Sequence, residues 1–143
     1  MFKHRDYLVA AFVLLLVLAA GAASCGSSGN PNIGRVLTSV TVTPPVADGH
    51  GNPNGVVFTA MGTFSLPPFS APLTFAAPYA GQFAVDNPTN PPATIATIVA
   101  TGTGTVTVQC AAGASGTVFI NASALANNGT TTLISGSGQF TCP

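Results

Sequence analysis

Residues 93–110, ATIATIVATGTGTVTVQC, decide the fold of this chain. In the second half of this stretch, Val106, Val108 and Cys110 alternate with threonine and glutamine. Because neighbouring side chains of a β-strand point to opposite faces, the alternation predicts a strand with one buried and one wet face. The buried face ends in a cysteine, and Cys142 ends another alternating run. We therefore expect two strands that are joined by a disulfide inside a small β-sandwich.

Similar short runs follow one another from residue 35 to residue 143, separated by turns rich in Gly, Pro and Asn. Strands that recur about every 8–12 residues between such turns are typical of all-β sandwiches. In the first run we expect Val36, Val40 and Val42 to share the inward face. The expected strands, about seven in all, are 35–43, 55–65, 79–86, 94–99, 104–110, 117–125 and 131–142.

The segment 66–78 is rich in proline, which cannot donate to a strand ladder. We expect this segment to be an edge or an ordered loop, in which only Leu73–Phe75 could pair briefly. Its neighbourhood carries three aromatic residues, Phe69, Phe75 and Tyr79. These residues are a candidate binding loop if they are exposed, and the alternative is that they cap the core of the sandwich.

Charge is scarce throughout the sequence. Only 4% of the residues are charged, against about a quarter in a typical soluble domain. In residues 25–143 the formal charges are Arg35, Asp48 and Asp86. Nucleic-acid binding needs clustered Lys and Arg to displace counterions, so this composition excludes nucleic acid as a partner.

The N-terminal segment has the order of a secretory signal. Lys3 and Arg5 precede an apolar run over residues 7–23, which ends in small residues. A retained transmembrane helix is the alternative interpretation. The run of 17 residues is at the short limit of the roughly 17–25 residues that a spanning helix needs.

The segment Ala22-Ala23-Ser24-Cys25 resembles the lipobox of bacterial lipoproteins. The resemblance implies a lipoprotein signal peptide over residues 1–24, acylation of Cys25 and a lipid anchor that faces the periplasm or the cell exterior. The alternative is that Cys25 is an odd cysteine near an ordinary cleavage site. Residues 25–34 then form the acylated start and a flexible Gly/Ser/Asn/Pro tether to the domain at 35–143.

With Cys25 assigned to lipid, Cys110 and Cys142 remain as a pair. An exported protein meets an oxidising compartment, which favours a disulfide between them. The alternatives are two free buried thiols or a metal pair. Two cysteines without a further Cys or a nearby His make a poor zinc site, so we expect no metal and no cofactor.

Five runs in the expected strands carry a family resemblance, namely LTSVTVTP at 37–44, FTAMGTF at 58–64, FAVDN at 83–87, ATI at 96–98 and GTVTV at 104–108. Together they resemble bacterial immunoglobulin-like domains of group 2, which occur in invasin- and intimin-like surface proteins. The resemblance covers about residues 36–142, and Phe83 stands where the family usually has tryptophan. It implies an immunoglobulin-like β-sandwich that serves envelope structure, adhesion or protein–protein interaction.

Catalysis finds little support in the sequence. A nucleophile–base–acid triad needs a histidine, and beyond the signal only His50 remains, in a Gly/Asn/Pro turn beside Asp48. We expect a solvated turn there and no enzyme activity. Two alternatives stay open, namely a lipoprotein that binds a small ligand or a glycan, and a subunit of a larger surface assembly that is joined through a strand edge.

Overall fold

The computed structural model describes residues 34–89, 93–127 and 129–143, and these form nine β-strands. The expected signal peptide, Cys25 and tether residues 26–33 lie outside the described residues. The described part of the chain contains no helix long and apolar enough to cross a bilayer. The strands are β1 Leu37–Thr43, β2 Val46–Asp48, β3 Val56–Phe64, β4 Ser70–Pro72, β5 Gly81–Asp86, β6 Ala96–Gly102, β7 Thr105–Cys110, β8 Gly116–Leu125 and β9 Leu133–Cys142.

The strands are arranged in two sheets that enclose one core. The first sheet has the order β1-β3-β7-β6, with β4 paired to β3, and the second has the order β2-β9-β8-β5. The β2–β9 pair is parallel, and the other pairs are antiparallel. The all-β class is therefore confirmed, and the two-sheet arrangement is that of a β-sandwich.

All seven strands expected from the sequence are present, together with two short strands that the sequence pattern missed. We expected only Leu73–Phe75 of this segment to pair, but the strand covers Ser70–Pro72, and Leu73 adds one backbone hydrogen bond, from its N–H to the carbonyl oxygen of Ala60 in β3 at 2.9 Å. The side chain of Leu73 lies in the core with 1% exposure. The second missed strand, Val46–Asp48, lies beside β9. A three-residue strand is too short for alternation to reveal it.

The inward face of β1 differs from the expectation at its first residue. Val40 and Val42 are buried as predicted, but Val36 is 37% exposed and Leu37 is 1% exposed. The register of β1 against β3 shifts between Leu37 and Ser39. An irregularity of this kind adds one residue to the strand and exchanges the faces on its two sides. The prediction for Val36 is therefore wrong, since Leu37 takes the inward place.

The core lies between the inner faces of the two sheets. Phe58 of β3 and Phe140 of β9 meet edge to face, with ring centroids 5.9 Å apart. Other large side chains with under 2% exposure come from both sheets and from the segment after β4. Burial of each such side chain stabilises the fold by about 1.5–3 kcal/mol. They are Leu37, Leu73, Val108, Val118 and Ile120.

The strand directions give the domain two distinct ends. The proximal end holds Gly34, the loop 65–69 between β3 and β4, and the loop between β8 and β9. The distal end holds the loop between β2 and β3 together with the last residues of β7 and β9. The described chain therefore begins at the proximal end, and the two cysteines lie at the distal end.

Candidate functional site

The disulfide predicted from the sequence is confirmed at the distal end. It joins Cys110 of β7 to Cys142 of β9, with Cα atoms 5.6 Å apart, and so connects the two sheets. A β-carbon on Gly49 would lie 2.4 Å from the sulfur of Cys110, so only glycine lets the β2–β3 loop cover the bond. Cys142 is 3% exposed, and the bridge is therefore part of the distal core.

The three aromatic residues of the candidate binding loop occupy three different environments. Tyr79 is 7% exposed and Phe69 is 61% exposed, while Phe75 is half-buried against the core. Tyr79 lies against Phe64, with ring centroids 5.0 Å apart. The loop therefore presents Phe69 to solvent and uses Tyr79 as a core side chain.

Arg35 fixes the loop that carries Phe69. Its guanidinium lies 3.5 Å from the ring centroid of Phe64. Its Nε donates a hydrogen bond to the carbonyl oxygen of Leu66 at 3.2 Å, and its Nη2 donates to that of Pro68. With 7% exposure, Arg35 is a buried cation whose partners are carbonyl oxygens and a ring face rather than a carboxylate. Arg35 therefore ties the loop 65–69 to the segment that precedes β1.

Phe75 lines a cleft between the outer strands β5 and β6. It has φ = 55°, a left-handed conformation that a residue with a β-carbon rarely adopts. Its ring meets Phe83 of β5 edge to face at a centroid distance of 5.2 Å. Gly81 makes room for the ring, since a β-carbon there would lie 2.7 Å from Phe75 Cδ1. The neighbouring structure thus holds Phe75 in an unfavourable conformation over the cleft.

The cleft is small, and both apolar and uncharged polar side chains line it. Its volume is ≈ 230 Å³, below the roughly 300–1,000 Å³ of most small-molecule sites. Apolar rings form its floor, and uncharged polar side chains stand at its rim. Such a cleft accepts one apolar side chain or a single sugar ring. The lining includes Phe75, Gln82, Phe83, Ile98, Thr101 and Val106.

The acids and the histidine of the described residues are placed in turns and at strand ends. The carboxylate of Asp48 accepts a hydrogen bond from the backbone N–H of His50 at 2.8 Å, which is an Asx turn. The amide of Asn52 donates to the carbonyl oxygen of Asp48 at 3.0 Å. Among the described residues there is no group of three or more His, Cys, Asp or Glu side chains that could hold a metal ion. The turn at His50 is therefore a hydrogen-bonded loop.

The cleft itself could not be found by sequence reasoning. It combines Phe75 with side chains of β5 and β6, and no local pattern in the sequence brings these elements together. Phe75 alone was singled out, as an aromatic residue among prolines. Comparisons with protein-family models, with curated proteins and with solved structures found no match for the chain.

Proposed function

We propose that this chain is an exported, lipid-anchored immunoglobulin-like domain that serves envelope structure, adhesion or protein–protein interaction without catalysing a reaction. The observation that carries the proposal is the strand order. Constant-type immunoglobulin domains place strands A, B, E and D in one sheet and C, F and G in the other. Lettering β1, β3, β5, β6, β7, β8 and β9 in chain order gives the same two sets.

The disulfide supports export but stands in a different place from that of antibody domains. In antibody domains the bridge joins strands B and F, whereas here it joins β7 and β9, which would be E and G. Disulfides persist in oxidising compartments outside the cytosol. This agrees with the lipobox-like segment that ends in Cys25.

The position of the cleft between the outer strands β5 and β6 supports a protein partner over a small ligand. Its volume of ≈ 230 Å³ fits one side chain. The outer strands β5 and β6 end their sheets on the same side of the domain, and an outer strand offers backbone groups to an incoming extended chain. We therefore propose that a partner protein places a side chain over Phe75.

Metabolic labelling tests the anchor. The full chain and its Cys25→Ser variant are produced in a bacterial host that is fed radiolabelled palmitate. We expect label in the wild-type chain, no label in Cys25→Ser, and loss of signal cleavage in the variant. If the variant still partitions into the detergent phase with an unchanged mature mass, the anchor assignment is wrong and residues 7–23 act as a retained helix.

Attachment of cells that display the full chain tests the binding role. Thr101 is exposed on the rim of the cleft, so Thr101→Arg fills the opening without disturbing the core. We expect this variant to lose most of the attachment of cells to one another and to protein-coated surfaces. The matched control is Val57→Arg, at a side chain that is 55% exposed on β3, and it should attach as the wild type does. Equal attachment by all three chains would contradict the proposal.

A further inference from the structure

Four of the eight exposed large apolar side chains of the described residues lie at the proximal end. Phe69 and Leu133 are the most exposed of the four, at 61% and 62%. Val36 at 37% and Leu66 at 47% complete this proximal rim. The other four lie in β2, β3, β6 and β8. Leu66 of the proximal rim lies beside the start of the described chain, since a β-carbon on Gly34 would lie 4.0 Å from Leu66 Cδ1.

The proximal rim is held in place by hydrogen bonds. The N–H of Phe64 donates to the carbonyl oxygen of Phe69 at 2.8 Å, and the N–H of Ser65 donates to that of Val36 at 2.9 Å. The side chain of Arg35 binds the carbonyl oxygens inside the loop. The N–H of Leu37 donates to the carbonyl oxygen of Ala126 at 2.8 Å, which ties the β8–β9 loop to the same end. The apolar side chains of the rim therefore project from a fixed frame.

Charge is distributed unevenly between the two ends. Both carboxylates of the described residues are away from the proximal rim, because Asp48 ends β2 and Asp86 ends β5 at the distal side. Arg35 is the cation of the proximal end. A membrane surface that carries anionic lipids repels carboxylates and attracts cations. The proximal end thus suits contact with a bilayer surface.

The length of the chain before Gly34 limits how far this end can lie from the anchor. Eight residues, 26–33, separate Cys25 from Gly34. Even a fully extended segment of this length spans only about 30 Å. An anchor at Cys25 therefore keeps Gly34, at the proximal end, within about 30 Å of the membrane.

We infer that the proximal rim, formed by Val36, Leu66, Phe69 and Leu133, inserts shallowly into the surface of the lipid bilayer. This inference rests on the proposed acylation of Cys25. Aromatic and aliphatic side chains on a fixed loop partition into the interfacial region, where they bury apolar area at the level of the headgroups. Contact at this end orients the domain upright and leaves the β5–β6 cleft facing sideways and accessible.

Tryptophan fluorescence tests the inference on the acylated full chain. The sequence has no tryptophan, so Phe69→Trp introduces a single fluorophore. The protein is reconstituted into phosphatidylethanolamine–phosphatidylglycerol vesicles whose acyl chains carry bromine near the headgroup. We expect a blue-shifted emission and loss of most of the fluorescence. Leu133→Trp, at the same rim, should give the same result.

Phe119→Trp is the matched control. Phe119 is 50% exposed and pairs across from Asp86 and Gln139 towards the distal end, so its tryptophan should keep its fluorescence. If the protein sediments with vesicles and Phe69→Trp stays unquenched, the inference is overturned and the anchor stands. Equal quenching of Phe69→Trp and Phe119→Trp also overturns it. Failure of the acylated chain to sediment with vesicles contradicts the anchor and the inference together.

Discussion

The phenol of Tyr79 donates a hydrogen bond of 2.9 Å to the backbone carbonyl oxygen of Arg35, a residue 44 positions earlier in the chain. The bond is buried and connects the long segment between β4 and β5 to the residue that precedes β1. Both residues also contact Phe64. Tyr79 contacts it through its ring, and Arg35 contacts it through its guanidinium. The three side chains together close the proximal end of the core.

Removing this hydroxyl should destabilise the domain. Tyr79→Phe keeps the ring but leaves the buried carbonyl oxygen of Arg35 without its donor, which costs about 1–3 kcal/mol. The measurement is urea denaturation of the full chain in detergent, followed by far-ultraviolet circular dichroism. Thr38→Val is the control, because the hydroxyl of Thr38 donates to the carbonyl oxygen of Thr63 in an exposed position. This substitution should change the free energy of unfolding by no more than about 0.5 kcal/mol. Equal losses in both variants would contradict the structural role of Tyr79.

Loss of the disulfide should lower stability by a larger amount. The bridge closes a loop with a sequence separation of 32 residues, and the chain-entropy estimate for such a loop is about 3–4 kcal/mol. The double variant Cys110→Ala/Cys142→Ala avoids a single unpaired thiol that could join two molecules through a disulfide. Thermal melting should show a clearly lower Tm than wild type, and reductant should lower the wild-type Tm but not that of the double variant. Cys25→Ser is the control and should have the same Tm as the wild type. An unchanged Tm in the double variant would show that the bridge does not stabilise the fold.

Where β9 crosses β1 the two sheets lie so close together that residue 136 must be glycine. A β-carbon on Gly136 would lie 2.1 Å from the carbonyl oxygen of Val40. That oxygen belongs to the backbone of β1, so it cannot rotate away as a side chain could. Gly136→Ala should therefore destabilise the domain by at least about 3 kcal/mol, at the upper end of overpacking effects. Ser137→Ala, at the exposed neighbouring position, should change stability by less than about 0.5 kcal/mol, and a similarly small effect of Gly136→Ala would refute the close approach.

Sequence alternation predicted the strands because a half-buried strand must alternate. The inward set of β7 followed directly from that rule, whereas the pairing of Cys110 with Cys142 was predicted from the number of remaining cysteines and an oxidising compartment. The face of Val36 did not, because the shift between Leu37 and Ser39 depends on pairing with β3 and leaves no local mark. Alternation therefore locates strands well and fails at irregularities that tertiary pairing imposes.

The candidate site was harder to predict for a related reason. The aromatic residues at 69, 75 and 79 stand out among prolines, but the sequence does not say which of them is buried. The hydrogen-bond partner of Tyr79, Arg35, lies 44 positions earlier in the chain, and the ring partner of Phe75, Phe83, lies in the following strand β5. The left-handed conformation of Phe75 is one that its residue type disfavours, so sequence preferences argue against it.

The left-handed conformation of Phe75 predicts that glycine destabilises the domain less than alanine does at this position. Phe75→Ala and Phe75→Gly both remove the ring that contacts Phe83, so both should destabilise the domain. Glycine adopts φ = 55° without strain, whereas the β-carbon of alanine keeps the strain of the left-handed region. We expect the loss of unfolding free energy to be smaller for Phe75→Gly than for Phe75→Ala, by about 0.5–1 kcal/mol.

The control for Phe75 is the same pair of substitutions at its ring partner. Phe83 lies in the extended strand β5, where alanine has no strain to keep and glycine adds freedom to the unfolded chain. At this position Phe83→Gly should therefore be more destabilising than Phe83→Ala. Urea denaturation of the four variants measures both differences. The left-handed conformation of Phe75 is refuted if alanine is the better tolerated residue at both positions, because only a positive φ at residue 75 favours glycine over alanine there.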